Sequence, residues 1–303
     1  MKKINKTLLF VVLTFIISWS LVAIYLLCGG EWNTPQATVI AIIYMFIPTL
    51  VVLIIGKGIY KDNIVRKYDI SFKINPWFLI AIFIPLAISL LSAGIASLLP
   101  DISISTDLSG FYERFEDRLP PEQIKEMKEQ VNQIPINFFW IILLQTIGLG
   151  ATINAIAGFG EELGWRGFMI KELSHLTFFK NALIIGSIWG VWHAPIILQG
   201  HNYPDHPVAG VFMMIFWCIL LAFLFNYIRI KSRSVIAAAV MHGTLNASAG
   251  FSLMYLKGGN DLIIGLTGYT GFLALIIVIL LIYLYDRFIT KEKIMKSKID
   301  QYL

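Results

Sequence analysis

The stretch NFFWIILLQTIGLGATINAIAGFGEELGWRGFMIKEL, Asn137–Leu173, decides what kind of molecule this is. It opens as an unbroken apolar run and carries Glu161, Glu162 and Arg166 without leaving that apolar setting. Its 37 residues make roughly 55 Å of helix at about 1.5 Å per residue, against a hydrocarbon layer about 30 Å thick. The run is too long for one straight crossing, so the glutamate pair falls anywhere between mid-bilayer and the rim. A charge in a spanning helix costs several kcal/mol by insertion scales, so it needs a partner or a chemical task.

The rest of the chain agrees with a membrane setting. Of 303 residues, 57% are hydrophobic and 14% charged, and the mean hydropathy is +0.73. A soluble domain carries about 25% charged residues. This composition excludes a disordered chain, a coiled coil and a disulfide scaffold, and it leaves an all-α polytopic membrane protein. Eight apolar runs of spanning length stand at about 7–28, 37–55, 77–99, 137–160, 181–198, 208–228, 235–251 and 262–285. They lack period-2 alternation, so they are helices and not barrel strands. The chain divides into 1–136, with three helices and an outer segment, a core at 137–250, and a last helix with a basic tail at 251–303.

Lysine and arginine gather in cytoplasmic loops. With eight spans, 19 of the 24 basic residues fall on the side of the two termini. The other side holds Arg114, Arg118, Lys125, Lys128 and Lys257. This split predicts a multi-pass protein of the cell membrane with both termini cytoplasmic. The net charge of +5 then belongs to loops beside lipid headgroups, not to a nucleic-acid site. The first run, after Lys2, Lys3 and Lys6, is too long for a signal h-region and has no small-residue cleavage site, so it reads as a retained helix. Cys28 and Cys218 form no CxxC and read as small apolar residues. The segment 100–135 carries eight acids: Asp101, Asp107, Glu113, Glu116, Asp117, Glu122, Glu126 and Glu129. Pro120-Pro121-Glu122 starts a helix there, and Ile124, Met127, Val131 and Ile134 recur at helical spacing, as in an amphipathic helix on the outer surface.

Only the fourth, fifth and seventh spans carry polar groups that packing does not require. Glu162 and Arg166 are i and i+4, so they share a face and pair. Glu161 points about 100° away and is left free. In the fifth span, Trp189-Gly190-Val191-Trp192-His193-Ala194-Pro195 puts His193 near mid-bilayer with a helix-bending proline after it. In the seventh, His242 and Asn246 share a face, and Ala237, Ala238, Ala239 and Gly243 admit a close neighbour. Each feature alone suits a satisfied core histidine or a structural pair. Together, two histidines, two carboxylates and an asparagine at overlapping depths suit a cation site or acid–base work on a water. His175 reads as solvated, and His201 and His206 flank a proline-containing outer loop.

Glu-Glu-x-x-x-Arg at 161–166, aromatic-x-x-x-His at 189–193 and His-x-x-x-Asn at 242–246 resemble the type II CAAX prenyl protease and bacteriocin-processing (CPBP, or Abi) family of intramembrane endopeptidases. The resemblance covers about 137–250, with Trp189 where the family's second motif usually opens with Phe. It implies that Glu161 is a general base, that His193 holds the same water, that His242 and Asn246 stabilise the oxyanion, and that Glu162 and Arg166 brace the site. The family is described both as metal-free and as zinc-dependent. Glu161, His193 and His242 are the candidate ligands if zinc is used. The implied substrate is a lipidated or membrane-associated peptide or protein. The Ile- and Lys-rich composition suggests a bacterial source of low genomic GC content, where a pheromone, a bacteriocin precursor or a membrane regulator is as apt as a prenylated protein. No His-Glu-x-x-His, rhomboid or presenilin-like motif is present. Two other classes remain open: a non-catalytic immunity or scaffold protein of the same fold, and an ion-coupled transporter, for which inverted repeats are expected and none is visible.

Overall fold

A computed structural model describes residues 5–106, 108–116 and 120–303. Lys2, Lys3, Asp107, Asp117 and Arg118 lie outside the described residues, as does the side chain of Glu116. Eight principal helices follow one another: α1 (Lys6–Leu27), α2 (Pro35–Ile59), α3 (Pro76–Ala96), α4 (Phe138–Glu172), α5 (Phe178–Trp192), α6 (Pro207–Ser232), α7 (Val235–Ser248) and α8 (Tyr269–Ile289). Six of them are long and apolar enough to cross a bilayer, and the protein is a polytopic all-α membrane protein. The only strands among the described residues are Ser103–Ile104 and Leu256–Lys257, which pair antiparallel. Large side chains such as Leu144, Phe212 and Ile153 point outward and suit contact with lipid.

The helix starts follow from local chemistry. Asn5, Thr34, Asn75, Asn137, Thr177 and Ser234 each accept backbone N–H groups as N-caps. Pro35, Pro76 and Pro207 occupy first turns, where no donor is lost. The expected amphipathic helix begins at Pro121, and its Ile124, Met127 and Val131 pack with Leu108, Tyr112 and Met254.

Three expected boundaries differ. The fifth run stops at Trp192, with His193 in a turn and a short helix Ala194–Ile197 starting at Pro195's own first turn. The seventh is only 14 residues and is buried almost throughout, so its length is set by protein neighbours and not by lipid thickness. The eighth starts at Tyr269 instead of Leu262. Residues 262–268 form turns instead, with Gly265 at positive φ, and the strand Leu256–Lys257 and the positive-φ pair Gly258 and Gly259 precede them.

The helices run up and down, so the connections collect at two ends. At one end Lys6 pairs with Asp62, Asn75 donates to the Ser232 carbonyl, Lys231 pairs with Glu292, and Asp300 N–H donates to the Ser174 carbonyl. Both termini therefore share this end. At the other end Trp32 meets His201, Tyr203 donates to the Thr267 carbonyl, and Arg114 donates to the Leu256 and Gly258 carbonyls.

Candidate active site

The site is built where α4 meets α7. Two widened π-helical stretches, Gly150–Asn154 and Leu163–Met169, interrupt α4, and such segments often mark functional positions. Gly158 and Gly243 make the seam close. A Cβ on Gly158 would stand 3.0 Å from both the Ala239 carbonyl oxygen and His242 Cβ, and one on Gly243 would collide with Gly150 O and Ala155 N. On the opposite flank, a Cβ on Gly160 would stand 2.7 Å from the Met45 carbonyl of α2. Small residues thus let three backbones converge around the end of α4's middle segment.

Glu161 and Glu162 leave this segment in different directions. Glu162 is fully buried and accepts from Arg166 at 3.1 Å and from His242 Nδ1 at 2.8 Å. The Arg166 guanidinium also lies over the Trp189 and Phe225 rings, 4.3 and 4.5 Å from their centroids. Those π faces explain how a buried cation tolerates N–H groups without hydrogen-bond acceptors. Glu161 turns into a cavity. Trp189 Nε1–H donates to its Oε2 at 2.7 Å, and its Oε1 lies 3.9 Å from His242 Nε2. Too far apart to bond directly, the two atoms are both within hydrogen-bond reach of a water placed beside them in the cavity, off the line that joins them.

His193 caps α5, with Nδ1–H donating to the Trp189 carbonyl at 2.8 Å and its ring against Trp192. This bond fixes the tautomer and leaves Nε2 as an acceptor. Glu161, His193, His242 and Asn246 line one cavity of about 320 Å³. Asn246, one turn beyond His242, is exposed at its mouth. The structure thus brings all four predicted catalytic candidates to one space, with Glu162 and Arg166 directly behind them.

Glu161, His193 and His242 are the donors that a zinc ion would use here. Both imidazoles have Nδ1 anchored and Nε2 free, as histidine ligands do. Among the described residues, however, no three His, Cys, Asp or Glu side chains converge closely enough to hold one ion. As they stand, the three donors do not form a closed ligand set. His206 is tied to Asp261 at 2.6 Å, His175 is exposed, and His201 lies in the cavity wall.

Two features were not legible from motifs. The indole N–H of Trp189 holds the Glu161 carboxylate, although the sequence marks Trp189 only as an aromatic. Tyr44 of α2 donates to the Trp192 carbonyl, and Trp192 Nε1 donates to Ser18 at 2.8 Å, which ties the His193 turn to α1 and α2. Tyr44 sits in an otherwise apolar run and gives no periodic signal.

The site so defined is a buried carboxylate and two imidazoles lining one cavity inside a helical membrane protein. Residues 137–248 match the family described as type II CAAX prenyl endopeptidase Rce1-like. Over 96 residues the chain is 31% identical to CAAX prenyl protease 2 of Methanococcus maripaludis, covering 28% of this chain and 34% of that relative. The chain therefore matches about a third of that relative's length. Residues 137–248, which carry Glu161, His193, His242 and Asn246, are thus similar to that endopeptidase family.

Proposed function

We propose that the protein is an intramembrane endopeptidase of the glutamate type, cutting a membrane-associated or lipidated peptide. The observation that carries this is the placement of Glu161, held by Trp189 and 3.9 Å from His242 Nε2, in the cavity shared with His193 and Asn246. Glu161 takes one proton from a water whose other hydrogen His193 Nε2 accepts, and the water oxygen attacks the scissile carbonyl carbon. The carbonyl oxygen becomes an oxyanion beside the Asn246 amide. His242 adds a second donor there when Nε2 carries a proton, because Nδ1 is already committed to Glu162. As the C–N bond breaks, Glu161 returns the proton to the departing amine nitrogen.

The test is Glu161→Gln in the full chain, assayed on a lipidated or membrane-anchored candidate peptide. A general base contributes roughly 10²–10⁴-fold, so kcat should fall by that factor with the fold intact. Full activity in Glu161→Gln would end the role of Glu161 as the base, and a parent chain that cleaves nothing would favour a scaffold role.

A further inference from the structure

We propose that the cavity opens on the extracytoplasmic side, so that its substrate is a peptide segment presented at or beyond the outer leaflet and not a cytoplasmic chain end. The word substrate rests on the proteolytic function above; the direction of opening does not.

The direction follows from where the cavity wall lies. It uses Thr38 and Met45 from the first half of α2, Trp217 from the first half of α6 and Asn246 from the last turn of α7. It also uses Asn202 and Thr267 from connections at the end opposite the two termini. Asn202 and Thr267 are shared with a second cavity of about 360 Å³, whose wall includes Glu113, Arg114, Asp205 and Asp261. The deep cavity thus runs out through a polar vestibule at that end.

The other end is closed. From Leu163 to Ile170 every residue of α4 is buried. Beneath them Arg229, itself fully buried, donates to the Arg166 carbonyl at 3.1 Å and to Asp69 at 2.6 Å. No lining residue of the deep cavity comes from the terminal end.

Charge then orients the two ends. The segments of the closed, terminal end hold 19 of the 24 basic residues, Arg166 included, and the open end holds five. Every connection at the open end is short enough for the positive-inside bias to apply; the longest is about 40 residues, under the limit of about 60. The basic, closed end therefore faces the cytoplasm, and the mouth faces away from it.

The experiment is site-directed labelling of the full chain, expressed in a bacterial host with Cys28→Ser. Asn202→Cys reports the mouth and Arg66→Cys reports the closed end. A membrane-impermeant maleimide should label Asn202→Cys in intact spheroplasts and Arg66→Cys only in inverted vesicles. Labelling in the reverse pattern overturns the proposal. If either variant fails to accumulate, the natural Cys28, exposed at the mouth end, gives the same reading in the unmodified chain. Cleavage of a candidate peptide added to spheroplasts is scored separately. Outer labelling without cleavage removes the protease function and leaves the orientation standing. Cleavage confined to inverted vesicles with inner labelling does the opposite.

Discussion

At the residue scale, one glutamate is locked into an ion pair and its neighbour faces the cavity. Consecutive helical residues point about 100° apart, so Glu162 is spent on Arg166 and His242 while Glu161 reaches the cavity. The i,i+4 spacings of Glu162 with Arg166 and of His242 with Asn246 made this much legible in the sequence. The part played by Trp189 was not legible, because an aromatic at a helix interface usually contributes only its ring. Here the ring carries Arg166 and the N–H carries Glu161. Trp189→Phe separates the two tasks, since it keeps a ring under the guanidinium and deletes one hydrogen bond to a carboxylate. Such a bond contributes about 1.5–3 kcal/mol. Part of that is recovered as the carboxylate reorients, so kcat should fall about tenfold with little change in thermal stability. Unchanged kcat in Trp189→Phe would show that the indole does not position Glu161.

At the scale of elements, the candidate site depends on how closely α4 and α7 approach. The alanine and glycine content of α7 was readable as a close-packing face, and the structure places that face against α4. The π-helical stretches of α4 were not readable. Run length gave only the excess over one crossing, and whether a helix kinks, tilts or widens depends on neighbours that one segment does not name. The short span of α7 escaped for the same reason, since a helix surrounded by protein need not match the bilayer. Gly243→Ala tests the seam, because its Cβ has no space between Gly150 and Ala155. Overpacking of this kind costs roughly 1–3 kcal/mol. Thermal unfolding in detergent should show that loss together with reduced activity, as His242 is pushed off both glutamates. Gly94→Ala in α3 is the control, since nothing stands within 4 Å of its Cβ, and it should be neutral or slightly stabilising.

At the scale of the whole molecule, the closed end is fastened by a charged clamp that hydropathy does not reveal. Asp69, in the connection before α3, accepts from Arg229 of α6 and pairs with Lys171 of α4 at 3.2 Å. Its carbonyl accepts the Val235 N–H that opens α7. One residue thus joins three of the helices that frame the cavity floor. Its φ of 52° lies in the left-handed region, which asparagine also tolerates, so Asp69→Asn removes the charge and little else. Burial pushes the Asp69 carboxyl up, but the Arg229 hydrogen bond and the charges of Arg229 and Lys171 outweigh it and hold the carboxyl below its ordinary 3.8. A carboxyl lowered in the folded state adds stability above its unfolded value, and that stability is lost as pH falls through the folded value. Asp69→Asn should therefore be less stable than the parent at pH 7, by about 2 kcal/mol for a lost bond to a charged donor. The side chain is one-third exposed, and solvent screening trims that figure. The gap between the two proteins should hold down to the ordinary carboxylate value and close below it, as the parent's Asp69 takes up its proton. Thermal unfolding of both proteins from pH 7 to pH 3 measures this directly. A gap that persists undiminished at pH 3 would mean that the substitution acts through something other than the lost charge.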